Sequence, residues 1–385
     1  MGTIQMVDLK RQYQSIQTEI DAAIKEVIDS TAFINGPAVK NFAANLGAYT
    51  KAKHVIPCGN GTDALQIALM ALDLKPGDEV ITPSFTFIAT VEVVALLGLT
   101  PVFVDVDPDT FTINMESLTQ AITAKTKVII PVHLYGQCSN MQPIMDLANA
   151  HGIAVIEDNA QSIGGNYITD DGIRKTGTIG TISCVSFFPS KNLGAYGDGG
   201  VIMTNSDELA ARMTKICNHG SERRYYHEII GVNSRLDSIQ AAILNVKLKY
   251  LDQYCDKRRA VAAFYNRVFA NNKHIKTPFE PAYSHHVYHQ YTLILEGVDR
   301  DAVHQAMAER GIPTMIYYPV PCHQQEMFTA LQDREYELAH TEYLVSRVLS
   351  LPIHTELTEE ELVFISTQLI EAIEEVKEKQ VSTAE

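Results

Sequence analysis

At 385 residues the chain has the length of roughly two or three domains, enough for a large core beside a smaller one. Hydrophobic residues make up 46% and charged residues 20%, which excludes a disordered, collagenous or low-complexity protein. Lys and Arg number 31 against 46 Asp and Glu, a formal charge of −15; with no basic patch in the sequence, that field repels a phosphate backbone and sets nucleic-acid binding aside.

The chain opens with Asp8, Lys10 and Arg11 where a signal peptide would carry its apolar core, and Met1-Gly2 lacks the Ser or Thr of a myristoylation signal, so the expected location is the cytoplasm. Ile16, Ile20, Ile24 and Val27 fall on one face at helical spacing, and the helix they predict ends before Asn35-Gly36-Pro37. From residue 79 short β-branched runs take over: EVIT (79–82), VFVDV (102–106), VIIPVH (128–133), AVIED (154–158) and ISCVSFF (182–188). Helix-like segments such as 86–98 and 141–150 separate them. Near-continuous apolar strands alternating with helices predict an α/β fold, a mostly parallel sheet sandwiched by helices, whose ligand sits at the strands' carboxyl ends. The longest apolar stretch, Val93 to Val104, is interrupted by Thr100 and Pro101 and falls short of the roughly 18 residues of a membrane span.

Beyond about residue 237 the texture changes. A long helix over 237–270 leads to a strand-like YTLIL (291–295), a helix near 300–310, and a last helix opened by the capping box Thr358-x-x-Glu361. Ile365, Leu369, Ile373 and Val376 give that helix one apolar face. The chain therefore divides into a large domain over 1–236, including the N-terminal helix, and 237–385, a long connecting helix with a smaller C-terminal α+β domain. Cys58, Cys138, Cys184, Cys217, Cys255 and Cys322 lie far apart without a C-x-x-C pair, and are read as reduced, buried thiols.

Three segments carry candidate chemistry. The turn C-G-N-G-T-D (58–63) opens an apolar helix, and its glycines with the free N–H groups of a helix start form an anion site to which Thr62 adds a hydroxyl. The same letters fit a plain helix cap at Asn60 or Thr62, or G-x-G-x-x-A with Asp78 as a ribose-binding acid; against the latter, HVIPC with its Pro57 reads poorly as a buried strand. AVIEDNAQS ends an apolar strand on Glu157 and Asp158, where a buried carboxylate needs a cation, a metal or a helix start. In SFFPSKNLGAYGDGG (186–200), Lys191 follows a strand and precedes a glycine-rich loop. Burial there would free its amine to attack a carbonyl, while Ser186 and Ser190 could reach a phosphate. A surface lysine beside a turn fits the isolated segment equally well. His285, His286 and His289 lack a metal-site spacing and a nearby acid, so no metal is expected.

A lysine, an acid and a phosphate cup together are the set that pyridoxal phosphate requires. With GNGTDAL, TPSFTFIAT, EDNAQSIG, SFFPSKNLGAYGDGG and GVNSRLDSIQAA in order, the chain resembles the DegT/DnrJ/EryC1/StrS sugar-nucleotide aminotransferases from Met6 to about Val376. These are fold type I pyridoxal-phosphate enzymes. The resemblance implies that Lys191 forms the Schiff base with the cofactor and moves protons, that Asp158 pairs with the pyridinium nitrogen, that Gln161 contacts the ring 3-hydroxyl, and that Phe87 stacks on the ring. Gly61, Thr62 and Ser186 would hold the phosphate, with Asn233 reaching across from a second subunit of a homodimer. Arg235, Tyr318 and His323 are substrate-binding candidates. DLKRQY, FINGP and YYPVPCH most resemble members that aminate C3 of UDP-2-acetamido-2-deoxy-3-keto-glucuronic acid from L-glutamate, for a surface polysaccharide such as O-antigen. Amination of another nucleotide-linked keto-hexose, for example a dTDP-linked one, stays open. A dehydratase of the family would carry His for Lys191; a nucleotide-dependent oxidoreductase leaves the lysine loop without a role; a non-catalytic regulatory protein has no use for an intact Lys191 and Asp158.

Overall fold

The computed structural model describes residues 2–329 and 334–384. Asp8 caps α1 (Leu9–Ser30) by accepting from Arg11 N; Ile16, Ile20 and Val27 are buried on the predicted face and Ile24 is half-buried. Pro37 then opens α2 (Pro37–Thr50), in the first turn, where its missing N–H would have no partner. The chain continues through β1 (His54–Cys58), α3 (Gly61–Met70), β2 (Glu79–Pro83), α4 (Ala89–Leu96), β3 (Thr100–Val104), α5 (Met115–Ala121), β4 (Thr126–Ile129), α6 (Met141–His151) and β5 (Ala154–Asp158). A short antiparallel pair, β6 (Asn166–Thr169) and β7 (Gly172–Lys175), precedes β8 (Ile182–Ser186), β9 (Gly200–Thr204) and α7 (Asp207–Cys217).

Seven of these strands form one sheet in the order β1-β9-β8-β5-β4-β2-β3, in which β9 alone runs against the rest. Successive residues of a strand face opposite sides of the sheet. Val80, Val128, Ile156, Ile182 and Ile202 therefore pack with α3, α4 and α7 on one face. Ile81, Ile129 and Val155 pack with α5 and α6 on the other, where Val185, Val201 and Met203 meet α2 and α8 (Ser238–Leu248). The sheet is covered on both sides, as the apolar runs predict. HVIPC is a strand after all. It lies at the sheet's edge, where Pro57 opposite Val201 removes no interior ladder bond.

Before α8 stands a hairpin of β10 (Ser221–Arg223) and β11 (Tyr226–His227). The single helix expected over 237–270 is two, α8 and α9 (Leu251–Phe269), because Tyr250, at φ −103° and ψ −1°, turns its N–H back tightly onto Lys247 O (3.0 Å). α8 lies against α1 and α2, whereas α9 carries Tyr265 and Phe269 into a separate core. That core is built on β12 (Ile275–Lys276), β14 (Tyr291–Leu295) and β15 (Val348–Leu351); β13 (Ser284–His285) pairs instead with β6. Against it pack α10 (Arg300–Glu309) and α13 (Glu359–Ala384), while α11 (Glu326–Thr329) sets Phe328 against Phe103 of β3 and α12 (Ala339–Val345) sets Leu344 among Phe85, Ile294 and Val348. The capping box is formed: Thr358 N donates to Glu361 Oε2 (2.8 Å) and Glu361 N to Thr358 Oγ1 (3.2 Å).

Candidate active site

The carboxyl ends of β2, β5 and β8 and the start of α3 converge on a cavity of about 630 Å³. The far wall comes from the smaller core's side, through His289, Gln290, Tyr317 and Tyr318. Gly61, Thr62, Phe87, Asp158, Gln161, Ser186, Lys191 and Tyr318 all line this space, so eight residues spread over more than 250 positions of sequence meet in one place.

The adjacent acids Glu157 and Asp158 have opposite fates, because strand alternation sends them to opposite faces. Glu157 is fully buried and accepts from Gly177 N (2.8 Å), Ile179 N (2.7 Å), Gly180 N (2.6 Å) and His133 Nε2 (2.9 Å). Those four donors outweigh burial and hold its carboxyl below the usual carboxylate range. His133 Nδ1 accepts from Ser139 N (3.1 Å), which leaves Nε2 to donate to Glu157. Asp158 turns into the cavity at 5% exposure, accepting from Thr90 Oγ1 (2.8 Å) and Ala160 N (3.1 Å). Burial raises its pKa against the pull of Thr90, Ala160 and the charge of Lys191. A buried carboxylate short of donors is a site for a cationic or N–H group.

Lys191 follows β8 after the turn at 187–190, and Lys191 N bonds Phe188 O (2.8 Å). Burial lowers its pKa to about 8, opposed by the charge of Asp158, so a fraction of the amine is unprotonated near neutrality. Gly194 in the loop beyond it is obligatory: a Cβ there would lie 2.2 Å from Pro189 O.

Asn60 caps α3, its Oδ1 accepting from Asp63 N (2.8 Å), so the plain cap is formed. Gly61 and Thr62 occupy the first turn, where N–H groups have no intrahelical partner. A Cβ on Gly61 would approach Ser186 Cβ to 2.7 Å, so only glycine lets the helix start sit against the end of β8. Asp78 lies instead at the opposite, amino end of β2, where it accepts from Lys75 N (2.7 Å) in an exposed turn; the dinucleotide reading fails on that geometry.

Phe87 is 52% exposed at the cavity wall, with its ring centroid 6.1 Å from that of Tyr318. Gln161 Oε1 accepts from Tyr135 N (2.6 Å), and its Nε2 donates to Tyr318 Oη (3.2 Å). Three candidates do not reach the cavity of their own chain. Asn233 is exposed and bridges Asn218, and Arg235 donates to Asn218 Oδ1 (3.3 Å). His323 Nδ1 lies 2.7 Å from Ser84 Oγ, behind the wall. His285, His286 and His289 do not converge: His286 stacks on Tyr288, His285 faces Asn166 and His289 lines the cavity, and the described residues contain no cluster of metal ligands. Sequence reading did not single out Thr90, His133, Gln290 or Tyr317, although Thr90 stood within TPSFTFIAT, His133 closed the run VIIPVH, Gln290 lay in HVYHQY and Tyr317 opened YYPVPCH; tertiary packing decides which members of those segments matter.

The cavity meets the needs of pyridoxal phosphate: a buried acid short of donors, an amine of lowered pKa and a helix start at its floor. The profile of the DegT/DnrJ/EryC1/StrS aminotransferase family matches residues 14–369. The chain is 47% identical over 370 residues to the "Pleiotropic regulatory protein" of Geobacillus stearothermophilus, covering 96% of this chain and 98% of that one. It is 45% identical over 351 residues to the UDP-2-acetamido-2-deoxy-3-oxo-D-glucuronate aminotransferase of Pseudomonas aeruginosa, covering 91% and 95%. Among solved structures, a Bacillus subtilis protein with bound pyridoxamine phosphate superposes with a TM-score of 0.90 at 34% identity, covering 97% of this chain and 86% of that one.

Proposed function

Because this chain belongs to the DegT/DnrJ/EryC1/StrS aminotransferase family, a group of pyridoxal-phosphate enzymes, we propose that it moves the amino group of L-glutamate to C3 of UDP-2-acetamido-2-deoxy-3-keto-glucuronic acid. The observation that carries this reading is the convergence of Lys191, Asp158 and the α3 start on one cavity. The relative that acts on the 3-oxo-glucuronate supports the substrate. The name of the regulatory relative favours another role; the placing of Lys191 and Asp158 in one cavity with the α3 start supports an enzyme instead.

The cofactor supplies an electron sink and a carbonyl carbon. Lys191, whose buried amine is unprotonated in part near neutrality, would hold the cofactor through that carbon and would take and return a proton on its side of the cavity. Asp158, fixed by Thr90 and Ala160, would hold the ring nitrogen in its protonated form. Gly61, Thr62 and Ser186 would hold the phosphate, Phe87 would cover the ring and Gln161 would meet its 3-hydroxyl. Asn233 completes the phosphate site from the partner subunit of a homodimer; its exposure and its distance from its own cavity support that placement. Tyr318 contacts the nucleotide sugar or the donor's carboxylates within its own cavity and Arg235 does so across the dimer, beside Asn233, while His323 orders the wall behind Tyr318 through Ser84. We place the enzyme in the cytoplasm, upstream of a surface polysaccharide such as O-antigen; its six cysteines are all free and buried, which suits a reducing compartment.

Incubation with L-glutamate and the UDP-linked 3-keto-glucuronate, followed by mass spectrometry, yields the 3-amino sugar and 2-oxoglutarate on this reading. Amination restricted to dTDP-linked keto sugars would overturn the substrate, and no transfer to any keto sugar would overturn the activity.

A further inference from the structure

Residues 232–234 run as a short rail beside the end of α7: Val232 N bonds Ile216 O (2.8 Å), His219 N bonds Val232 O (2.9 Å) and Ser234 N bonds Cys217 O (3.1 Å). Alternation along the rail turns Asn233 to solvent and Ser234 inward, to 2% exposure. Inside, Ser234 Oγ meets the back of the phosphate turn. It accepts from Gly59 N (2.8 Å) and donates to Asp63 Oδ2 (2.6 Å). Asp63 belongs to the first turn of α3. The contact has no slack, since a Cβ on Gly59 would lie 2.9 Å from Asp63 Oδ2 and 3.3 Å from Ser234 Oγ. The turn that binds phosphate in one chain is thus tied, through two short hydrogen bonds and one residue of backbone, to the side chain that the same chain offers outward.

We propose that Ser234 is a positioning residue for two active sites at once, setting the phosphate turn of its own chain through Gly59 and Asp63 and setting Asn233 in the site of the partner subunit. The inference rests on the composite-site reading of Asn233.

Heterodimers test this by reading cofactor binding and not turnover. One chain is wild type; the other carries Lys191→Ala and a second substitution, so lysine-bonded cofactor absorbance reports the wild-type chain alone. With Ser234→Ala on the silent chain, the wild-type chain binds cofactor about threefold more weakly than beside Lys191→Ala alone. In its own chain the same substitution weakens binding by about tenfold. Asn233→Ala on the silent chain is the control. If it weakens the wild-type site while Ser234→Ala does not, the tie acts within one chain and the proposal is overturned, with the composite site standing. If both are silent, the composite site falls and the proposal with it. Should the Ser234→Ala chain not fold or pair, Asp63→Asn loosens the same tie without a change of shape and is read in the same way.

Discussion

Replacing Asp158 with Asn removes a charge without changing shape, and its consequence can be sized from the surroundings. The carboxylate is 5% exposed and held by Thr90 Oγ1 at 2.8 Å and Ala160 N at 3.1 Å, so solvent does little to screen it. An opposite charge at contact shifts a partner's pKa by about 1 to 3 units, and burial favours the upper end. Three units correspond to about 4 kcal/mol of lost preference for the protonated ring nitrogen, hence roughly a thousandfold in turnover. The fold should persist, because Asn still offers one acceptor to Thr90 or Ala160. The assay is single-turnover amino transfer with protein shown by circular dichroism to be folded and by absorbance to carry cofactor. Thr90→Val, which removes one hydrogen bond to the charge, should fall between the two, with a loss of about tenfold or somewhat more. Turnover of Asp158→Asn within tenfold of wild type would show that the acid facing the ring nitrogen is another residue.

Lys191 makes a separate prediction: capture of pyridoxal phosphate by apoprotein should rise with pH and level off around a midpoint of about 8, and a midpoint above 10 would mean that the amine is not desolvated. Glu157→Gln should cost about 3 kcal/mol of stability in denaturant titration, because an amide cannot accept from all four of its buried donors. Its carboxyl is held below the ordinary range, so its contribution is present above about pH 4.3 and is lost as pH falls towards the folded value. The variant should therefore lose stability less steeply in acid than wild type, and identical acid limbs would refute this.

The parallel sheet was legible because strands buried on both faces are mostly apolar, and the runs at 79–82, 154–158 and 182–188 carry apolar or β-branched residues at most positions. Caps were legible where the side chain acts within a few residues, as with Thr358 and Glu361. The edge position of HVIPC was not, since nothing local says which strand lacks a neighbour, and edge placement is what makes Pro57 acceptable. The break at Tyr250 escaped for the same kind of reason: α8 and α9 are each good helices, and only packing shows that Leu251 and Cys255 still share the core of α8 while Tyr265 and Phe269 reach the other. Glu157 and Asp158 could be found but not told apart by composition. Strand parity separates them, and only packing reveals that the 177–180 turn and His133 have claimed Glu157 already. Lys191 stood out because a lone lysine between a strand and a glycine-rich loop is chemically conspicuous; its altered proton affinity depends on a wall contributed by residues 289–318, far away in sequence.

The account turns on one bond, between Lys191 and the cofactor. Holoprotein reduced with borohydride, digested and analysed by tandem mass spectrometry should carry the pyridoxyl adduct on Lys191, in stoichiometry with the chain. Lys191→Ala treated in the same way should carry none. An adduct mapped to another lysine, or wild-type protein that takes up no cofactor after reconstitution, would contradict the assignment of this cavity.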